Sequence, residues 1–151
     1  MIKLILFSLL IFTAHAETCV TTLDAFKKLI KHDDFPVAWI ETTADDGKPL
    51  VMRISSESDK LHLEFDKTKE GIWAKGFATV CQEKNSFSAK ISKDDVKWGP
   101  EAPFVMKMRG SANFDLSFPK DTEMKVAIFG WSGTFMPERQ KNEAAKPLQN
   151  P

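Results

Sequence analysis

Two cysteines, Cys19 and Cys81, have the most definite chemistry in this chain. In an oxidising compartment two thiols permit one intramolecular bridge. Closing the long loop between them would stabilise the fold by roughly 4 kcal/mol on the chain-entropy account, less any strain. No Cys-x-x-Cys is present, so the pair reads as a structural staple and not as a redox centre. Groups for acid, base or metal chemistry are sparse. His32 precedes Asp33 and Asp34, a trio able to hold a metal weakly. The same trio is explained more simply by a cation at the end of a helix followed by two loop-forming carboxylates. Asp45-Asp46 and Asp94-Asp95 read as turn formers, because adjacent carboxyls diverge instead of facing one substrate across a cleft. The chain contains no Gly-x-Ser-x-Gly, no phosphate-cradling glycine loop and no His-Glu-x-x-His. No catalytic residue, metal ligand or cofactor is assigned, and binding is expected in place of catalysis.

What remains is aromatic and apolar chemistry. Ten of the twelve Phe and all four Trp lie beyond residue 16, and Tyr is absent, so the interior should be aromatic without phenol hydroxyls. Trp73 lies between Gly71 and Gly76, and Trp131 between Gly130 and Gly133, where glycine permits bends and close backbone approach. With Phe77, Met106, Met108 and Phe114, these two tryptophans are the candidate lining of an apolar ligand cavity. Plain core packing near the barrel ends is the simpler reading of the same residues. Trp98 begins the stretch Trp98-Gly99-Pro100-Glu101-Ala102-Pro103, a large aromatic in a loop stiffened by two prolines. Trp98, Pro100 and Glu101 are therefore candidates for contacting a protein partner, the alternative being that Trp98 folds back as a plug.

Hydrophobic periodicity shows what must position these residues. Residues 1–16 carry Lys3, an apolar run and Ala14-His15-Ala16, the layout of a cleavable secretory signal. Its apolar run is too short to span a bilayer, so a soluble, periplasmic or extracellular protein without a membrane span is expected after cleavage. A short helix is expected over residues 23–32, capped by Thr21 or Thr22, with Leu23, Phe26 and Ile30 on one face. From there the period falls to two. Strands are expected over 37–43, 50–55, 61–65, 72–81 and 86–91. A strand bent or turned at Gly110 should cover 104–118, and a last one should begin at Met124 and run toward Trp131.

Three-residue loops would place Ala38 opposite Ile54 and Ile40 opposite Met52 in the first hairpin. In the second they would place Phe77 opposite Ile91 and turn Cys81 inward, whereas a two-residue turn at Lys84-Asn85 would face Ala78 and Val80 inward instead. About eight antiparallel strands with one short helix predict a mainly β fold, a small closed or partly closed barrel, with a two-layer sandwich as the alternative. Residues 17–136 form one such domain and 137–151 a disordered tail.

Lys plus Arg and Asp plus Glu both number 21, with signs interspersed, so nothing attracts the chain to nucleic acid. Two functions are expected. The first is an exported barrel holding a lipid or fatty acid, lipocalin-like by analogy of architecture only. The second is a module that binds a protein, such as an inhibitor of an extracellular or cell-wall enzyme. Gly110-Ser111-Ala112 with Trp131-Ser132-Gly133 resembles, over these few residues and at a different spacing, the Ser-Gly-rich and Trp-Ser/Thr-x-Gly elements of periplasmic c-type lysozyme inhibitors. So short an overlap assigns no family.

Overall fold

The structure is a computed structural model that describes residues 17–128 and 130–138. The expected signal segment and residues 139–151 of the expected tail lie outside the described residues. In chain order the elements are β1 (Cys19–Val20), α1 (Leu23–Ile30), β2 (Ala38–Glu41), β3 (Leu50–Glu57), β4 (Lys60–Lys67) and β5 (Gly71–Gln82). They continue with β6 (Phe87–Ile91), β7 (Lys97–Trp98), α2 (Phe104–Lys107), β8 (Ala112–Lys120), β9 (Glu123–Ile128) and β10 (Trp131–Pro137). No helix among the described residues is long and apolar enough to cross a membrane.

Eight of the strands close into an antiparallel barrel. Pairing runs from β5 through β4, β3, β2, β10, β9 and β8 to β6, and the β5–β6 ladder completes the ring. Closure leaves no free edge, the physical reason such a meander is stable at this size. β1 and β7 lie off the ring and pair with β5 along Val80–Cys81 and Ala74–Lys75. The interior is filled by side chains. Met52, Ile54, Leu61, Leu63, Leu116, Met124, Val126 and Phe135 are buried, and Phe65 of β4 stacks on Phe114 of β8 across the barrel with ring centroids 4.5 Å apart. Eight strands leave a lumen that side chains of this size just fill.

α1 closes one end. Thr22 caps it, its hydroxyl accepting from the Ala25 N–H at 3.3 Å, and Lys31 follows in the left-handed conformation, so that the helix ends at Ile30, two residues earlier than the spacing predicted. Phe26 from its apolar stripe is fully buried and meets Phe35 edge-on at 5.3 Å and Phe118 at 6.4 Å. Trp39 joins this cluster at 5.2 Å from Phe35, and its indole N–H donates to the Pro36 carbonyl at 2.9 Å. The His32 ring donates to the Asp121 carbonyl at 3.0 Å, tying the end of the helix to the β8–β9 turn.

Several expected registers are corrected. In β4 the alternation is as expected, with Leu61, Leu63 and Phe65 inside. In the first hairpin Trp39 faces Met52 and Ile40 faces Val51, so Trp39 and Glu41 point inward and Ala38 and Ile40 outward. A one-residue slip exchanges the faces, and this register buries a tryptophan where the other would bury an alanine. Buried Glu41 is satisfied, because its carboxylate accepts the Leu50 N–H at 2.9 Å.

In the second hairpin Glu83 N–H donates to the Ser86 carbonyl at 2.8 Å around a two-residue turn at Lys84-Asn85. Ala78 then pairs with Ile91 and Val80 with Ala89, all four buried. Cys81 therefore faces outward, not inward. The Cys19–Cys81 disulfide is present all the same, because β1 lays Cys19 directly opposite Cys81 on the outer surface, with Cα atoms 4.0 Å apart.

The predicted strand over the first half of 104–118 is a helical turn, α2, and the expected last strand is two, β9 and β10, joined through Gly130. Pro137, placed by the sequence at the start of the tail, ends β10 opposite Trp39.

Candidate functional site

At the end of the barrel opposite α1, three tryptophans converge. Trp73 arrives there through a bulge. Phe65 pairs with Ala74 and Asp66 with Ile72, leaving Trp73 as the extra residue of β5. Such an extra residue re-aims its side chain, and the indole turns into the barrel mouth beside Leu50, Phe65 and Ala74. The Lys67 ammonium lies 5.7 Å from its ring centroid and pairs with Asp46 at 2.8 Å. That hydrogen bond from Lys67, helped by the Lys48 N–H, holds the Asp46 carboxyl below its ordinary range. The indole N–H of Trp73 is buried without a partner among the described residues.

Trp98 is held by β7, which pairs with Ala74 of β5, and the next N–H, of Gly99, donates to the Trp73 carbonyl at 2.8 Å. Only glycine fits at position 99, since a Cβ there would run into the Ile72 carbonyl. The Trp98 indole N–H donates to the Gly110 carbonyl at 3.3 Å. Trp131, at the start of β10, folds over Gly133, where an added Cβ would come within 2.7 Å of the indole ring, and meets Phe135 edge-on at 6.2 Å.

These residues bound two spaces. The inner one, lined by Trp73, Trp98, Met106, Phe114 and Trp131 among others, has a volume of about 10 Å³, enough for one water. The outer one is a cleft of about 330 Å³ whose lining includes the apolar Trp98, Met106 and Trp131 and the polar Arg109, Ser111, Asn113 and Asp115. Of the six candidate ligand-lining residues, the fold brings together Trp73, Met106, Phe114 and Trp131. Phe77 is on the outside of β5, 5.8 Å from the His62 ring and 5.2 Å from the Lys60 ammonium. Met108 follows α2 and is 71% exposed.

The loop candidates divide likewise. Trp98 is half-buried, part plug and part cleft wall, whereas Pro100 and Glu101 are exposed on the turn before α2. The Pro100 carbonyl accepts from the Lys107 ammonium at 2.8 Å, which steadies that turn. The polar wall of the cleft was not singled out from the sequence. Asn113 and Asp115 alternate outward between Ala112, Phe114 and Leu116, a pattern visible in the sequence but shared with any half-buried strand.

α2 presents an unusual surface. Of the four large hydrophobic residues exposed among the described residues, three are Phe104, Val105 and Met108, at 72%, 52% and 71%. Only Met106 of this segment turns into the barrel. Compared with known protein families, with curated proteins and with solved structures, the chain matches none.

Proposed function

We propose that this chain is an exported, non-catalytic binding protein that engages a protein partner through the connection over residues 98–111. The observation that carries this reading is the clustering of exposed Phe104, Val105 and Met108 on a single helical turn beside the tryptophan-lined mouth. A soluble chain gains nothing in stability from displaying a phenyl ring, and such patches mark interaction surfaces. Exposed Pro100 and Glu101 add a stiff, charged rim to the patch. The disulfide and the signal-like start of the sequence support export. A lipid held within the barrel has less support, because ligand pockets usually measure about 300–1,000 Å³ and the inner cavity is about 10 Å³.

The test is site-specific photo-crosslinking in the native host, with a benzophenone amino acid at Phe104 and, as control, at Ser56 in the hairpin at the opposite end. A discrete protein adduct from position 104 and none from position 56 is expected. Equal labelling from both ends, or no adduct above the unirradiated control, would overturn the reading.

A further inference from the structure

We infer that the cleft between Trp98 and Asp115 is a separate site for a neutral saccharide chain. It is distinct from the exposed face of α2, since Met106 lines it and Phe104, Val105 and Met108 do not. Its volume of about 330 Å³ falls at the lower end of ligand-pocket sizes, about 300–1,000 Å³.

One wall is indole. A pyranose ring has a flat face of C–H bonds and an edge of hydroxyls, and an indole gives that face a rigid apolar platform. Both indoles here are already immobilised. Trp98 is tied by its N–H to the Gly110 carbonyl and by β7 to β5, and Trp131 is pressed onto Gly133. Stacking on either therefore costs little side-chain entropy.

Other lining side chains carry groups that match hydroxyls. Ser111, Asn113 and Asp115 follow one another at every second position, offering a hydroxyl, an amide and a carboxylate along one line. Sugar hydroxyls both donate and accept, and this set supplies both functions. The amide of Asn113 already donates to Ser111 Oγ at 3.2 Å, which orients the pair. Within the cleft Arg109 and Asp115 offset each other, and the hollow that continues it adds only Lys125, so no strong field of one sign favours an anion or a cation.

The cleft also continues. A second hollow of about 450 Å³ shares Asp115 and Ala127 with it and extends over the outside of β8, β9 and β10 among Ser117, Ser132 and Thr134. An aromatic platform leading onto a hydroxyl-lined trough suits a linear chain of sugars. A fatty acid would leave the hydroxyls unmatched, and a nucleic acid would meet Asp115 with no run of cations beside it.

The test uses the whole protein with cellohexaose and chitohexaose as probes, followed by saturation-transfer NMR and tryptophan emission. Saturable binding of at least one is expected, with transfer strongest to ring C–H protons. Asp115→Ala and Asn113→Ala, both at exposed positions, should each weaken it about tenfold with the melting temperature unchanged. Absence of transfer from both oligosaccharides, or affinity unaffected by both substitutions, overturns the inference, as does adenosine binding in their place. Crosslinking at Phe104 reports on the protein partner independently, so either proposal can fall while the other stands.

Discussion

The two ends of the barrel solve the same problem differently. At the α1 end, Phe26, Phe35, Trp39 and Phe118 interlock with ring centroids 5.2 to 6.4 Å apart, and the disulfide anchors the segment that leads into the helix. Every large aromatic there has aromatic neighbours. At the other end Trp73, Trp98 and Trp131 converge with equal bulk but leave a cleft, and the helical turn above them shows apolar side chains to solvent. Sealing an end takes aromatics that reach each other. The mouth positions its indoles through a bulge at Trp73, a backbone contact at Gly99 and a fold-back over Gly133. One end is packed through with aromatics, and the other ends in a cleft with exposed apolar side chains beside it, the feature on which the proposed binding role rests.

The contrast can be broken first where it predicts the largest loss. Trp39→Ala removes the ring at the heart of the sealed end and should destabilise the protein by about 3–5 kcal/mol, read as a fall in the denaturation midpoint. A loss under about 1 kcal/mol would mean that the aromatic cluster is not what closes this end.

Next comes the bridge, which closes a separation of 62 residues. Cys19→Ser with Cys81→Ser should cost about 2–4 kcal/mol. Amide exchange should accelerate first at Val20 and along α1, with β8 and β9 still protected, because β1 is held to the barrel only along β5. Simultaneous loss of protection everywhere would show that the bridge serves the whole barrel equally.

A smaller effect is expected at the mouth, where Lys67 holds the Asp46 carboxyl below its ordinary range. A carboxyl with a lowered folded-state pKa contributes stability that is fully present above its unfolded value of 3.8 and is lost as pH falls through the folded one. Asp46→Asn should therefore lower stability slightly above about pH 4, where the carboxylate contributes, and leave the strongly acidic end unchanged, so that the acid limb of the stability curve is flatter. An unaltered acid limb would remove the ion pair from the account.

The smallest change sharpens the comparison most. Phe104→Ser with Met108→Ser should alter stability by no more than about 0.5 kcal/mol, since both side chains are largely exposed. If this pair costs as much as Trp39→Ala, the open end is core and the interaction surface does not exist.

Much of this was legible from local pattern. Leu61, Leu63 and Phe65 alternate inward as read, Thr22 caps a helix with Phe26 on its buried face, and Gly47 takes a positive φ of 68° in the first connection. The misread registers share a cause. Two-residue and three-residue turns at 83–86 leave the same strands paired but exchange their faces, and the choice depends on which set of side chains fits the barrel, not on the turn itself. At 38–41 the register that buries Trp39 also brings Glu41 to the Leu50 N–H, between residues whose spacing gives no hint that they meet. At 104–108 the alternation of Phe104, Met106 and Met108 mimicked a strand, while α2 buries only Met106. The candidate site was half visible. Its tryptophans stand out by type, whereas Arg109, Asn113 and Asp115 become a wall only once β8 lies beside the mouth.

By itself, the sequence determined the class of this protein: a period of two over most of its length, one capped helix, and two cysteines that form a single pair. These are properties of neighbours along the chain, and neighbours settle secondary structure and the need for a core. The closure of the barrel, the faces of β2 and β5, the outward position of the disulfide and the convergence of Trp73, Trp98 and Trp131 were decided by tertiary structure. Each depends on which distant side chains can share one enclosed volume, a condition that only the closed ring of strands imposes.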